Sequence, residues 1–292
     1  TGVSVSKTGE KYELVTSQEH QMFDKELTKD VAVKRGIIKE GTVTEYISNP
    51  HFLHEGKKNE QSTFYPDYQY TGLKWGMAVD MNKCLGCGEC VIGCISENNI
   101  PVVGKEQVKA GREMHWLRVD RYYSGDEEEP KVHNQIMLCQ HCDHAPCENV
   151  CPVVATTHSP DGLNQMVYNR CVGTRYCSNN CPYKVRRFNY FNFRDHFKEG
   201  YQESALLSLI YNPEVTVRSR GVMEKCTFCI QRIAEEKQAA AKENRTAKGS
   251  NVKTACQEAC ITNAITFGDV NEKDSEIAAL KSHELGYTVL EE

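Results

Sequence analysis

The stretch that decides the fold is Cys84-Leu85-Gly86-Cys87-Gly88-Glu89-Cys90-Val91-Ile92-Gly93-Cys94. Its spacing, C-x2-C-x2-C-x3-C, presents three thiolates to one cubane of iron and sulfur and a fourth to a neighbouring cluster. The glycines allow tight backbone turns that direct N–H groups at cluster sulfurs. The stretch therefore predicts a site for iron–sulfur clusters.

Three more cysteine runs follow at uneven intervals. The second is Cys139-x2-Cys142-x4-Cys147-x3-Cys151-Pro152, and the third is Cys171-x5-Cys177-x3-Cys181-Pro182. The fourth run is split into Cys226-x2-Cys229 and Cys256-x3-Cys260. Compared with the first run, the third lacks its second cysteine and has Thr174 at that position. The pattern indicates a repeated cluster-binding motif with one incomplete copy.

The number of cysteines predicts the cluster types. Four complete cubanes need one more thiolate than the 15 cysteines of this chain provide. A threonine hydroxyl is a poor replacement for a soft thiolate, so the iron at that corner is easily lost. We therefore expect three [4Fe–4S] clusters and one [3Fe–4S] cluster, with Thr174 at the vacant ligand position.

Other uses of cysteine fit this spacing less well. Structural zinc sites usually pair one C-x2-C with a second, and disulfide frameworks belong to short secreted chains. Three cysteines within residues 84–90 would also strain disulfide bridges. The C-x2-C-H signature of c-type haem does not occur, because Asp143 follows Cys142 and Ile230 follows Cys229.

Composition excludes two further classes of protein. A net charge of -5 gives no support to nucleic-acid binding. The apolar stretch Ala205–Tyr211 is far shorter than the roughly 20 residues of a membrane-spanning helix, so we expect no transmembrane segment. The chain starts at Thr1 without a signal peptide, and we interpret this start as processed or as part of a longer polypeptide.

The cysteines divide the chain into two predicted regions. Residues 1–74 contain no cysteine and combine two β-rich pieces, Tyr12–Thr16 and Gly41–Ile47, with polar turns. This region is predicted to be an extended arm with little core. Residues 75–292 are predicted to form the cluster-binding domain.

Two elements are predicted between the cysteine runs. Met114–Tyr122 alternates like a strand and is followed by a turn at Gly125 and the acidic run Asp126–Glu129. Ile230–Ala247 is rich in helix formers and predicts an amphipathic helix that ends near Gly249.

Basic and imidazole side chains near the cysteines have two interpretations. Tyr183–Phe193 interleaves Arg186 and Arg187 with aromatic residues, which suits a packing shell in which arginine offsets cluster charge better than it suits nucleic-acid binding. Four histidines could bind metal or tune a cluster, but structural roles are more common for such residues: His133, His141, His144 and His158.

From Trp75 to Asp269 the sequence resembles the four-cluster ferredoxin subunits of molybdopterin-type oxidoreductases, such as the B subunits of polysulfide and dimethyl sulfoxide reductases. More narrowly, three segments resemble the iron–sulfur B subunit of alternative complex III: Gly111–Tyr122, Tyr211–Pro213 and Val215–Cys229. The resemblance implies an α+β fold with two pseudo-duplicated bacterial ferredoxin-like subdomains, each for two clusters, with insertions. It also implies that residues 1–74 are the C-terminal end of a preceding molybdopterin-like domain.

The same resemblance implies that the first run shares clusters with the fourth, and the second with the third. One cubane would be held by Cys84, Cys87, Cys90 and Cys260, and its neighbour by Cys94, Cys226, Cys229 and Cys256. Another cubane would be held by Cys139, Cys142, Cys147 and Cys181, and the three-iron cluster by Cys151, Cys171 and Cys177. Cys94 and Cys260 depart from simple ferredoxins because isoleucine, not proline, follows each of them.

The role implied by this resemblance is electron relay within a membrane-associated respiratory complex that oxidises quinol, at the extracytoplasmic (periplasmic) face. The implied partners are a membrane quinol-binding subunit, a multihaem cytochrome c subunit, the preceding molybdopterin-like domain and a terminal cytochrome oxidase. No catalytic residue is assigned. The alternative is the electron-transfer B subunit of a molybdopterin-dependent reductase. A stand-alone ferredoxin is a third interpretation, which the long arm disfavours. Cysteine content alone favours the cytoplasm.

Overall fold

The computed structural model describes residues 2–17, 35–54, 64–125, 128–192 and 205–290. Parts of the predicted arm (18–34 and 55–63), two residues of the acidic run (126–127) and Phe193 lie outside the described residues. Within the described part, no helix is long and apolar enough to cross a membrane.

The described residues combine short helices with short strands, a mixture consistent with the α+β fold that the resemblance implies. The helices are α1 (Val43–Ser48), α2 (Glu89–Glu97), α3 (Lys105–Lys109), α4 (Pro146–Asn149), α5 (Tyr176–Asn179), α6 (Ile230–Lys242), α7 (Ala255–Glu258) and α8 (Glu276–Lys281). The strands are β1 (Trp75–Val79), β2 (Arg118–Ser124), β3 (Lys131–Met137), β4 (Thr156–His158), β5 (Asn164–Met166), β6 (Arg187–Phe188), β7 (Met223–Glu224) and β8 (Ile265–Asp269). Short 3-10 helices lie at Phe52–His54, Tyr168–Arg170, Ala205–Ile210 and Gly249–Asn251.

The strands pair as two-stranded antiparallel ribbons, and the pairing is nested along the chain. β1 pairs with β8, so that Trp75 lies opposite Asp269 and Val79 opposite Ile265. Between them lie the hairpins β2–β3 and β4–β5 and the ribbon β6–β7. In the sequence, β1 directly precedes the first cysteine run and β8 directly follows the fourth. The second and third runs therefore lie between these two outer parts of the chain.

The hydrophobic core is built around the cysteines themselves. Met114, Leu117, Leu163 and Ile233 are almost completely buried, and they share one cluster with cysteines of all four runs. A smaller cluster around Ala145 contains Cys147, Cys177 and Met223. Burial of this kind excludes water from most of the thiols.

The prediction of a β-rich piece at Gly41–Ile47 is wrong, because Val43–Ser48 is the helix α1. Thr42 accepts a hydrogen bond from the Glu45 N–H at 3.2 Å, and the Glu45 carboxylate accepts one from the Thr42 N–H at 2.6 Å. This reciprocal capping box outweighs the weak preference of valine and threonine for strands. The other piece, Tyr12–Thr16, contains no strand either.

The other two local predictions need smaller corrections. The strand predicted to begin at Met114 begins at Arg118, since the preceding residues pack into the core instead of pairing. The helix predicted to end near Gly249 ends at Lys242. Asn244 is left-handed there (φ 52°), and the Arg245 N–H donates to the Ala240 carbonyl at 3.0 Å, which closes the helix with a Schellman motif.

Candidate metal centres

Each cysteine run contains the same left-handed turn. The second residue after the leading cysteine has φ of 65° at Gly86, 47° at His141, 77° at Gly173 and 54° at Phe228. Glycine adopts this conformation freely, whereas a residue with a Cβ loses roughly 1–2 kcal/mol. In the fourth run the turned Phe228 N–H donates to Cys226 Sγ at 3.4 Å. The strain tolerated in two runs indicates that the turn serves the thiols.

Helices α2 and α7 bring the first and fourth runs together. α2 carries Cys90 and Cys94, and α7 carries Cys256. A Cβ added at Gly93 would lie 2.8 Å from Ala259 Cβ, so glycine permits this close approach. The thiols interact electrostatically in sets: Cys90 with Cys84, Cys87 and Cys256; Cys94 with Cys226, Cys229 and Cys256; and Cys256 with Cys260.

The second and third runs line one shared cavity. Its thiols are Cys139, Cys142, Cys147 and Cys181. Tyr183 and Val185 provide apolar walls, and Asn164 and Arg186 provide polar ones. These four cysteines are the set that the resemblance assigns to one cubane.

A second cavity is lined by Cys151, Cys171 and Cys177 together with Thr174. These are the residues assigned to the three-iron cluster and its vacant position. Thr174 occupies the place that Cys87 has in the first run, since both lie three residues after one cysteine and three before the next.

The two groups of runs meet at their inner sites. Cys226 of the fourth run interacts electrostatically with Cys139 of the second. The rings of His141 and Phe228, which occupy the left-handed positions of these same two runs, stack with centroids 4.0 Å apart. The side chains that replace glycine in the inner turns therefore form a contact between the two groups.

The backbone leaves three of the runs through the same tight turn. In each turn the cysteine carbonyl accepts a hydrogen bond from the N–H of the residue three positions later. The distances are 3.3 Å for Cys151, 3.3 Å for Cys181 and 3.1 Å for Cys260. That residue is left-handed in each case: Val154, Lys184 and Asn263. Cys260 makes this turn without a following proline. After Cys94 the backbone instead continues as helix to Glu97, and a proline there would disturb that helix.

Burial controls the protonation of several thiols. It raises the pKa of Cys90 and Cys142 to about 12 and the pKa of Cys94 well above the ordinary thiol value, with repulsion from neighbouring thiolates adding to the effect. Without a bound cation these thiols stay protonated. Iron binding must therefore displace protons, as expected when several buried cysteines share a metal cluster.

Cys151 and Cys260 have lowered pKa values, unlike the thiols just described, and their surroundings resemble each other. Desolvation acts to raise the pKa of Cys151 and Cys260, but hydrogen bonds to each sulfur bring the pKa below the ordinary value. At Cys151 these come from backbone N–H groups, and at Cys260 from the Thr262 hydroxyl and then from backbone N–H groups. The donors stand at matching positions, with Ala155 N–H 3.1 Å from Cys151 Sγ and Ala264 N–H 3.2 Å from Cys260 Sγ. A nest of N–H groups of this kind stabilises a metal-bound thiolate.

Of the two arginines predicted to offset cluster charge, only Arg186 contacts a cysteine. Its guanidinium donates to Cys147 Sγ at 3.0 Å and to Thr156 Oγ1 at 2.8 Å, and it interacts electrostatically with Cys177 in the neighbouring cavity. Arg187 instead donates to Glu113 at 2.9 Å and to the His115 carbonyl. Arg186 thus lies between the two sites of the second and third runs.

The four histidines have structural contacts. His141 stacks on Phe228, as described above, and its Nδ1 accepts from the Asn164 N–H at 3.0 Å. His133 makes polar contacts with Ser124 and Glu40, and the ring of His144 packs against those of Tyr65 and Tyr68. His158 makes polar contacts with Tyr70 and Glu148. Within the described residues, no group of three or more His, Cys, Asp or Glu side chains converges as the ligands of a single metal ion would. The spread of the thiols suits clusters, in which each cysteine binds a different iron.

Sequence reasoning missed three buried polar residues of this region. Asn164 donates to Cys147 Sγ at 3.6 Å and to Glu148 at 2.5 Å. Glu224 accepts from Trp116 Nε1 at 3.1 Å and from Arg218 at 2.8 Å, and so joins two of the segments that carry the family resemblance. Lys225 is completely buried. Only the position of Lys225 directly before Cys226 could have drawn attention to it.

Family models agree with a cluster-binding protein. A model described as a 4Fe-4S dicluster domain matches residues 83–155, and a second with the same description matches residues 133–195. The first match joins the first and second runs, whereas the structure groups the first run with the fourth. Such a model reports motif spacing along the sequence, so the structure is the better guide to spatial grouping.

Curated relatives match most of the sequence. The menaquinone reductase iron–sulfur cluster-binding subunit of Nitratidesulfovibrio vulgaris is 37% identical over 224 residues, covering 75% of this chain and 84% of its own length. The Hdr-like menaquinol oxidoreductase iron–sulfur subunit 1 of Archaeoglobus fulgidus is 35% identical, covering 71% and 75%. A polysulfide reductase subunit of Wolinella succinogenes is 31% identical, covering 70% and 81%.

Proposed function

The protein belongs to the family of iron–sulfur subunits of menaquinone-, polysulfide- and dimethyl sulfoxide-type reductases, and from this premise we propose that it relays single electrons within a membrane-associated, quinone-linked complex. Three [4Fe–4S] clusters and one [3Fe–4S] cluster, bound at the four thiol sites, supply the one-electron chemistry. The polypeptide itself holds the sites, excludes water from them and sets the charge around them.

The observation that carries this proposal is the graded exposure of the thiol sites. The inner thiols Cys94, Cys139, Cys226 and Cys256 are buried, and those of the two groups face each other. The outer sites reach the surface through Cys84, Cys87 and Cys260 at one end and through Cys151 and Cys171 at the other. A row of sites that is buried inside and accessible at both ends suits passage of electrons between two partners.

Exposed apolar side chains at both ends support contact with partners. Leu85 and Ile261 are 67% and 69% exposed beside the cysteines of the first outer site. Val172 and Val154 are 65% and 58% exposed beside those of the second. Apolar residues that follow cluster cysteines and face solvent are suited to close approach of another redox protein.

We assign the ligands as the resemblance implies, with the first and fourth runs sharing one pair of clusters and the second and third runs sharing the other. The matching N–H donors at Cys151 and Cys260 support a duplicated arrangement, as do the matching exit turns. On this proposal residues 75–292 contain two ferredoxin-like units, one nested within the other.

Of the two roles considered from the sequence, the comparisons favour the electron-transfer subunit of a reductase-type complex over that of alternative complex III. Two relatives are named for menaquinone or menaquinol chemistry, which supports a quinone-binding membrane partner. The cytochrome c partner, the molybdopterin-like domain and the extracytoplasmic location remain predictions of the resemblance.

Two measurements test the proposal. Iron analysis of the purified protein should give about fifteen irons and almost no zinc, as three cubanes and one three-iron cluster require. Purification of the native complex under mild detergent should recover a quinone-binding membrane subunit, and the clusters should exchange electrons with a menaquinone analogue, through reduction by its quinol form or reoxidation by its quinone form. Zinc in place of iron, or clusters that react with neither form in the intact complex, would contradict the proposal.

A further inference from the structure

Lys225 is a buried cation placed at the junction between the two inner cluster sites. Its side chain is 0% exposed and is the largest of the fully buried side chains in the described residues. Its ammonium group donates to the Cys226 carbonyl at 2.8 Å and to the Asn164 carbonyl. Cys226 belongs to the fourth run, and Asn164 lines the cavity of the second and third runs.

The partners of Lys225 are unusual for a buried charge. Arg187 and Arg218, which are also buried, each bond a carboxylate, Glu113 and Glu224 respectively. Within the described part of the protein, the hydrogen bonds of Lys225 go only to carbonyl groups. Burying an ammonium group without an anion costs several kcal/mol, so an anion is needed nearby.

The neighbouring Glu224 carboxylate is already paired with Arg218, whereas thiol sites lie on both sides of Lys225. The charge of Lys225 acts on Cys147, whose Sγ lies 3.6 Å from the Asn164 amide. On the other side Lys225 is joined directly to Cys226. A cubane with four thiolates carries a net charge of about -2, and both neighbouring sites are proposed to hold one.

We propose that Lys225 is a fixed counter-charge shared by the two inner cubanes, and that it raises the reduction potential of both. Adding an electron makes each cubane more negative, and a buried positive charge stabilises that reduced state because little solvent screens the interaction. The residue would thus ease electron transfer across the junction between the two groups of runs. This inference rests on the ligand assignment in the proposed function, but not on quinone as the partner.

The test compares midpoint potentials in the purified, cluster-loaded protein by redox titration followed with electron paramagnetic resonance. Lys225→Met should weaken reduction of both inner cubanes at least tenfold, which is about 59 mV for one electron. Lys184→Met is the matched control. Lys184 is exposed, lies three residues after Cys181, and likewise donates to a carbonyl, that of Asn179 at 2.7 Å. Because solvent screens the charge of Lys184, its removal should change the equilibrium constant for reduction of each cubane by less than about twofold, as expected for an exposed charge.

Further variants separate charge from packing. If Lys225→Met loses the inner clusters, two more variants are measured. Lys225→Gln keeps a hydrogen-bond donor without the charge, and Lys225→Arg keeps the charge. Clusters retained in the arginine variant but lost in both neutral variants would support the counter-charge. Unchanged potentials in a loaded neutral variant, or loss of clusters in all three variants, would overturn it. A protein with these potential shifts that fails to exchange electrons with quinol would refute the proposed function alone.

Discussion

The loops at Cys84–Cys90 and Cys171–Cys177 have the same backbone but different ligands. Both turn through a left-handed glycine, Gly86 and Gly173, and both enter a helix through a left-handed N-cap, Gly88 (φ 84°) and Arg175 (φ 62°). The first loop has Cys87 between these positions and the second has Thr174. The fold therefore keeps the geometry of a three-cysteine loop at a place where only two cysteines are present, and on the proposed ligand assignment the side chain, not the backbone, selects the cluster type.

The most disruptive test of this comparison removes a ligand outside the two loops. On the proposed assignment Cys151→Ser should abolish the signal of the oxidised three-iron cluster, with a loss of about three irons per chain. Cys260→Ser should instead damage the first cubane. Electron paramagnetic resonance and iron analysis of both variants provide the check. If Cys260→Ser removes the three-iron signal while Cys151→Ser spares it, the third run shares its cluster with the fourth.

Thr174→Cys should turn the second loop into a copy of the first. The added thiolate holds a fourth iron, so the oxidised protein should lose its three-iron signal and gain about one iron per chain. The extra negative charge should also lower the reduction potential at this site. Full persistence of the oxidised signal, with the new cysteine verified by mass spectrometry, would show that position 174 does not select the cluster.

Cys87→Thr is the reciprocal exchange and should affect a single iron. Because Cys87 is exposed, its loss leaves the core intact, and the first cubane should become a three-iron cluster with a new signal in the oxidised state. The matched control is Cys90→Thr, which removes a buried ligand on the same loop and should cost the whole cluster. Equal iron loss in the two variants would speak against a special role for this position.

The smallest effects concern the shared backbone. Gly88→Ala should lose about 1–2 kcal/mol of unfolding free energy from its left-handed conformation alone, because an added Cβ meets no atom within 4 Å. Gly173→Ala should lose more, roughly 2–3 kcal/mol, since its Cβ would also lie 2.8 Å from the Gly221 carbonyl oxygen. Chemical denaturation of the loaded protein under anaerobic conditions measures both. Equal losses would mean that the close Gly221 carbonyl adds nothing to the cost of the left-handed backbone at Gly173.

Local chemistry made several features predictable. The helix at Ile230–Lys242 follows from its composition, and the turn at Gly125 follows from a glycine whose Cβ would lie 2.8 Å from the Glu129 carbonyl oxygen. The helix α1 is equally predictable from the capping pair Thr42 and Glu45, although the valine and threonine residues of this segment by themselves favour a strand.

Other features depend on partners distant in sequence. The strand β2 begins late because Trp116 turns inward to Glu224, 108 residues away. Lys184 and Lys225 each lie close to a cysteine in sequence, yet the first is far more accessible to solvent than the second, which is fully buried. Nothing local distinguishes them, because the burial of Lys225 arises only when the fourth run packs against the second.

The nested pairing of β1 with β8 has a consequence for biosynthesis. Translation proceeds from the N-terminus, so the second and third runs are complete before the fourth has been made. The first run must wait for β8, whose last residue is Asp269, before its ribbon can close. During that interval the thiols of the first run lack their partners from the fourth run, and Cys87 is open to oxidants. A cell making this protein would therefore need to deliver iron and sulfide late, or to shield the first run with a chaperone until the last strand emerges.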